Sequence, residues 1–313
     1  MTLQVQVGGV PQSAGSESSV QVYLSNLGQS SARTMVDALR IASKVLGNPN
    51  PLTVDWDAIR WRDASAVRAA LLNSQYSAAT ANRVLAAVRG VAKVSFQLGR
   101  LPAAAWVRVS AVPNLPQGQA PGRGRHLSEE EVVQLFAAVQ ASSNGRRLAA
   151  ILAVFLGTGL RRAELVALDV DDICTATGSV DVRRGKGGKP RRVWMSESAL
   201  GYVRRWLAVR GRGAGYLFCR VGRGGTPRPA MGLSTQRVYA ALRDLGDLAG
   251  LDHFSPHDLR RTFVGNLLDH GVDVCTVQRL AGHSYVSTTA LYDRRPDRAS
   301  REAAQSIELP RGL

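Results

Sequence analysis

Cysteine is scarce in this 313-residue chain. Cys174, Cys219 and Cys275 are odd in number and far apart, which excludes a disulfide framework or a thiolate metal spacing and points to a reducing compartment. No metal ligand set is expected. Long apolar runs are missing as well, since no window reaches the length needed to span a bilayer. The opening residues, MTLQVQVGGVPQSAGSESS, lack the charged and continuously apolar stretches of a secretory signal. The expectation is a soluble cytoplasmic protein without a membrane partner. Lysine is rare too: only four of the 40 basic residues are lysines and the other 36 are arginines, a bias that GC-rich coding would produce. Acidic residues are outnumbered, 24 against 40, so the net charge is +16 and the pI is near 10.9. A surplus this large calls for a polyanion, with DNA or RNA the first candidates.

What is present supports two domains, on length and on a hydrophobic content of 45%. Residues 1–18 are rich in Gly, Ser and Gln and read as a flexible tail. Residues 19–110 show helical patterns over 20–27, 31–46, about 64–73 and 77–98, a compact four-helix domain. The last of these helices has a buried-face spacing at Val84, Leu85, Val88, Val91, Val94 and Leu98, while Asn82, Arg83, Arg89 and Lys93 line its other face. That basic face is a candidate for lying along a groove of DNA, or it is a merely solvated one. Residues 111–126 read as a linker: AVPNLPQGQAPGRGR carries three prolines, three glycines and no acid. Arg123 and Arg125 would make it a strap along phosphates, unless it is only a spacer.

The second domain, residues 127–296, opens with a capping box at Ser128 and Glu131 and a hydrophobic staple of Leu127 and Val132. A very apolar helix over 148–156 stops at Gly157-Thr158-Gly159, and Arg161 starts the next. Residues 179–183 alternate as a strand, 185–188 turn, and 191–195 return, giving a hairpin with a glycine-rich tip. The tip and its arms, Arg183 to Arg192, hold six basic residues and no acid, so Arg183, Arg184, Lys189 and Arg191 are DNA-binding candidates. A nucleotide phosphate loop is a poor alternative, because the G-x-x-x-x-G-K-[ST] pattern is absent. Helices resume over 196–209, 234–248, 256–270, 274–280 and 286–292, and residues 297–313 form a polar tail. The fold class expected is mainly α with a small antiparallel β-sheet.

Six residues in this domain make a chemical set: Arg161 in TGLRRAEL, Lys186 in RRGKGGK, His257 and Arg260 in SPHDLRR, His283 in LAGHSYVSTT, and Tyr292 in LYDRR. Moving a phosphodiester to a tyrosine passes through five-coordinate phosphorus whose non-bridging oxygens gain charge. Two guanidinium forks, Arg161 and Arg260, can grip those oxygens bidentately. Each lies at a helix start, where free N–H groups also favour anions. A histidine donor at 283 would add an oxyanion-type hydrogen bond. A tyrosine hydroxyl has an ordinary pKa of about 10 and needs a base, for which His257 is the candidate. Glu164, one turn after Arg161, fits a residue that orients the arginine by an i, i+3 pair, or is ordinary helix charge. Arg162, Arg261, Lys189 and Tyr285 are neighbours that could be confused with the set. His126, His253 and His270 read as loop or helix-end histidines without a role.

Order, flanking context and a tyrosine nine residues after Gly-His resemble the tyrosine recombinase (phage integrase) family across most of residues 127–296. The resemblance implies a small helical core-binding domain ahead of the catalytic one and assigns the general acid for the departing 5′ oxygen to Lys186. It implies a site-specific DNA strand transferase working on duplex DNA in the nucleoid. A 3′-phosphotyrosine and a Holliday junction would be its intermediates. Four protomers, or a pair with a related recombinase, would assemble on DNA, with accessory proteins possible. Because the bond energy is kept in the phosphotyrosine, no cofactor, ATP or metal is required. The rival enzyme is a type IB topoisomerase, and the rival class is a DNA-binding protein that does not cut.

Overall fold

Short-range signals set most helix starts in the computed structural model, which describes residues 17–116, 124–142, 144–183, 190–222, 224–293 and 304–305. The chain divides into two units, Met1–Ala120 and Pro121–Leu313. Both are built mainly of helices, and the small sheets are antiparallel, so the fold class expected is the one found.

The described residues of the first unit form five α-helices: α1 (Ser19–Ser25), α2 (Gln29–Val45), α3 (Trp61–Leu72), α4 (Ala78–Gln97) and α5 (Ala103–Ser110). Helix α4 is the hub. Ser77 caps its start by accepting from the Thr80 amide. Its stripe of Val84, Leu85, Val88 and Val91 is fully buried, each such side chain contributing about 1.5–3 kcal/mol. Gly90 lets the Tyr23 ring of α1 lie directly on the helix backbone, where any Cβ would collide with it.

Two corrections apply here. A fifth helix, α5, follows Pro102 where none was expected; it is short, and its anchors are the buried Val109 and the stacking of Trp106 on Phe96 at 6.4 Å. Residues 112–115, at the start of the expected linker, are held by the first unit. Val112 and Leu115 are buried in the core of the first unit. Arg89 donates to the Val112 carbonyl at 2.9 Å and to Asn114 Oδ1 at 2.6 Å. Asn82 clasps the Leu115 backbone in both directions, at 2.7 and 3.0 Å. The expected basic face of α4 therefore loses Arg89 and Asn82 to this strap and keeps Arg83 and Lys93, both exposed. Arg123 lies outside the described residues.

The second unit begins at α6 (Glu129–Ala138), where Ser128 and Glu131 form the expected capping box. Arg125, expected on phosphates, is instead tied within the unit. It is ion-paired with Glu131, and it donates to the Asp252 carbonyl at 2.7 Å and through its amide to Asp258 Oδ1 at 2.8 Å. Helix α7 (Gly145–Thr158) is buried on nearly every side and packs on α9 (Glu197–Arg210) and α11 (Pro256–Asp269). It is followed by α8 (Arg162–Val166) and the hairpin β1 (Ser179–Val182) with β2 (Arg191–Trp194). Val180 faces Val193, and Val182 pairs with Arg191 at the last register position before the tip. The tip itself, with Arg184, Lys186 and Lys189, lies outside the described residues. A second hairpin, β3 (Cys219–Val221) and β4 (Pro227–Gly232), was not legible in the sequence. Pro227 and Pro229 argue against a strand, and a two-stranded sheet tolerates them because one side of each strand has no partner. Helices α10 (Thr235–Leu248), α11, α12 (Val274–Ala281) and α13 (Val286–Ala290) complete the unit. Among the described residues no helix is long and apolar enough to cross a membrane.

Candidate active site

Helix ends organise the site. Helix α7 closes on Gly159, in the left-handed region at φ 60°, and α12 closes on Gly282 at φ 66°. The last carbonyls of a helix lack intrahelical partners, and here arginines supply them. Arg260, on the second turn of α11 and 3% exposed, donates to the Gly159 carbonyl at 2.6 Å and to the Ala281 carbonyl at 2.5 Å. Arg161 donates to the Gly282 carbonyl at 2.5 Å. Both forks are thus referenced to the same two-residue stretch, and His283 comes next in the chain.

Arg161 occupies the cap position of α8, with extended backbone. Glu164 holds it twice, accepting from its amide at 2.8 Å and from Nη1 at 2.8 Å. The other partner of Glu164 is Arg191, at the start of β2, which donates to both carboxylate oxygens at 2.9 and 2.7 Å and to the Leu280 carbonyl at 3.1 Å. Burial would push the Glu164 carboxyl up. Hydrogen bonds from Arg191 and the Arg161 amide, reinforced by the Arg191 charge, overcome this and hold it at about 2. Arg191, expected as a phosphate contact, is therefore half of an ion pair with the buried Glu164 that ties the hairpin base to the arginine cradle.

His283 is half-buried, its Nδ1 lying 2.9 Å from Thr289 Oγ1. Burial, then the charges of Arg260 and Arg161, press its pKa down to about 4, so the ring is neutral at physiological pH. His257, exposed on the first turn of α11, is also shifted down, by surrounding protein and by Arg261 and Arg260, with Asp258 opposing. Burial and Arg161 lower the Arg260 guanidinium to about 10, partly offset by Glu164 and Tyr292, and it stays charged near neutrality. Tyr292 follows α13. Its ring stands 5.9 Å from the His283 ring and 5.0 Å from the Arg261 guanidinium carbon, and it packs on the apolar cluster of Phe263 and Val264.

Arg161, His257, Arg260, His283 and Tyr292 are brought together, and Lys186 lies outside the described residues. Arg183 is exposed but paired with Asp172 at 2.5 Å. Three neighbours of the set escaped sequence reasoning: Arg191 as an internal partner, Arg261 over the tyrosine ring, and Thr289 on the histidine. Adjacent arginines and a Thr-Thr pair carry no signal that separates them. A cavity of about 820 Å³ elsewhere in this unit, lined by Phe136, Arg147, Tyr202 and Trp206 among others, contains none of the six.

The profile of the phage integrase family matches residues 125–298, more than half of the chain. The chain belongs to the phage integrase family. It is 38% identical over 250 residues to the tyrosine recombinase XerD of Mycobacterium tuberculosis (strain H37Rv), covering 75% of this chain and 74% of that one. It is 31% identical over 249 residues to XerA of Pyrococcus horikoshii, covering 79% and 80%. In fold it is similar to a lambda integrase dimer bound to a COC′ core site, with a TM-score of 0.67 at 16% identity over 94% of this chain and 98% of that one. It is also similar to XerH bound to a palindromic difH substrate in a post-cleavage complex, with a TM-score of 0.65 at 19% identity over 90% and 81%.

Proposed function

We propose that this integrase-family chain is a site-specific tyrosine recombinase, a DNA strand transferase that cleaves and rejoins duplex DNA through a 3′-phosphotyrosine on Tyr292. The observation that carries this reading is the two guanidiniums anchored on one helix end, with a neutral histidine next in the chain and the Tyr292 ring 5.9 Å from that histidine's. The Tyr292 hydroxyl attacks phosphorus and its proton passes to His257, whose lowered pKa keeps it a free base at neutral pH. Arg161 and Arg260 take the non-bridging oxygens, already oriented by carbonyls and by Glu164, so little reorganisation is required as charge develops. His283 donates to the same oxygens. The bond to the 5′ oxygen breaks, and Lys186 on the hairpin tip supplies its proton. Rejoining reverses these steps on the partner strand, and a Holliday junction links the two exchanges.

The partner is double-stranded DNA. The net charge of +16 supports this, as do the DNA-bound states of the XerH and lambda integrase structures named above. We assign the first unit to clamping the duplex, with Arg83 and Lys93 on the phosphates, and the assembly to four protomers or a pair with a related recombinase. Covalent capture tests the reading. Wild-type and Tyr292→Phe protein are incubated with fragmented host DNA in chelator-containing buffer and denatured, and attached DNA is sequenced. A wild-type-only adduct at one recurring sequence is expected. Scattered adducts would favour a type IB topoisomerase, and an adduct on Tyr292→Phe would reassign the nucleophile.

A further inference from the structure

His283 sits beside three arginines. Burial first, and then the charges of Arg260, Arg161 and Arg191, keep its imidazole neutral. A neutral imidazole has one N–H, on either Nδ1 or Nε2. If the proton sits on Nδ1, Nε2 turns a lone pair towards any phosphate oxygen placed there, and the contact is repulsive. The chemistry therefore requires the proton on Nε2.

The group that makes this choice is Thr289. Its side chain is fully buried, and its Oγ1 lies 2.9 Å from His283 Nδ1. Among the described residues that hydroxyl has no second hydrogen-bond partner. A buried hydroxyl that finds one acceptor donates to it, so Nδ1 accepts. We propose that Thr289 is a positioning residue that donates to His283 Nδ1 and thereby commits the ring proton to Nε2, keeping His283 a permanent donor to the phosphodiester. The inference rests on the reading of His283 as a phosphate donor. Thr289 also accepts the Tyr292 amide through its carbonyl at 3.0 Å, so one residue sets the tautomer of the histidine and the backbone position of the tyrosine. Only the first role belongs to the hydroxyl, and only the first is lost with it.

A double-mutant cycle separates the two roles. Covalent adduct formation is timed in a single turnover on the captured DNA site for wild type, Thr289→Val, Thr289→Ser, His283→Ala and the His283→Ala/Thr289→Val double variant. His283→Ala should slow cleavage by about 10²–10³, the usual loss for one oxyanion donor, and Thr289→Val by about tenfold or more. Thr289→Ser should stay near wild type. In the His283→Ala background Thr289→Val should cost nothing further, because there is no tautomer left to set. An equal loss in both backgrounds would mean that Thr289 only places the tyrosine, and would overturn the proposal. Wild-type speed in His283→Ala would instead overturn the donor role of His283 itself. A long-range 1H–15N spectrum of the histidine-labelled wild-type chain reads the tautomer directly, whatever the variants do. A ring proton found on Nδ1 of His283 overturns the proposal.

Discussion

Replacing Glu164 by glutamine removes one charge, keeps the side-chain volume, and places an amide N–H where an arginine N–H already points. The carboxylate is 3% exposed in its side chain and bonds Arg161 and Arg191 together. Its fall from an ordinary 4.5 to about 2 corresponds to about 3 kcal/mol at roughly 1.4 kcal/mol per unit. Breaking a buried ion pair from one side costs a similar amount, about 3–5 kcal/mol. In a domain of roughly 150–250 residues each kcal/mol moves the midpoint about 2–4 °C, so unfolding of the second unit should shift down by about 6–12 °C at pH 7. The sign with pH is fixed by the direction of the shift. The folded carboxyl holds its proton less tightly than the unfolded one, so its stabilisation is complete above about 4.5 and is lost as pH falls towards 2. Calorimetry of wild type and Glu164→Gln across that window should show the gap between them closing with acid. High salt should change it little, because the pair is shielded from solvent. A shift under about 2 °C at pH 7, or a gap independent of pH, would refute the assignment of Glu164 as the keystone of the two arginines.

Gly282→Ala should cost about 1–2 kcal/mol for a left-handed alanine, and more where the new Cβ meets the Arg191 guanidinium at 3.0 Å. Reduced adduct formation with a lowered melting midpoint would report both effects, and an unchanged midpoint would contradict them. The double variant Arg83→Gln/Lys93→Gln should flatten the salt dependence of DNA binding by a slope of about 2, from roughly 0.9 per phosphate contact. An unchanged slope would place both side chains away from DNA. His257 must be unprotonated to act as base, and its pKa is shifted below 6.5. The acid limb of the cleavage rate should therefore fall below pH 6.5, and a limb at or above that value would point to a different base.

Legibility followed the range of the interactions. The capping box at Ser128 and Glu131, the glycine stop at 159, and the strand alternation around Val180 are short-range patterns, and the structure contains each of them. The strap at residues 112–115 misread as linker because its prolines are local signals, whereas its anchors on Arg89 and Asn82 lie 23 to 33 residues away. Hairpin β3–β4 was hidden in the same way behind Pro227 and Pro229.

Arginine shows the division most clearly. The type, order and flanks of Arg161, His257, Arg260, His283 and Tyr292, the set proposed to act on the phosphodiester, were legible from the sequence alone, because local motifs mark them. Which of 36 arginines stay free for phosphate and which serve the protein was decided only by tertiary structure. Arg89, Arg125 and Arg191 all looked like DNA contacts and are tied up internally. Arg260 finds the Gly159 carbonyl 101 residues away, and Arg161 finds the Gly282 carbonyl 121 residues away. A guanidinium binds a carbonyl, a carboxylate or a phosphate with the same fork, so its neighbours in sequence do not reveal its partner; the folded chain does, by bringing one acceptor within reach and burying the pair.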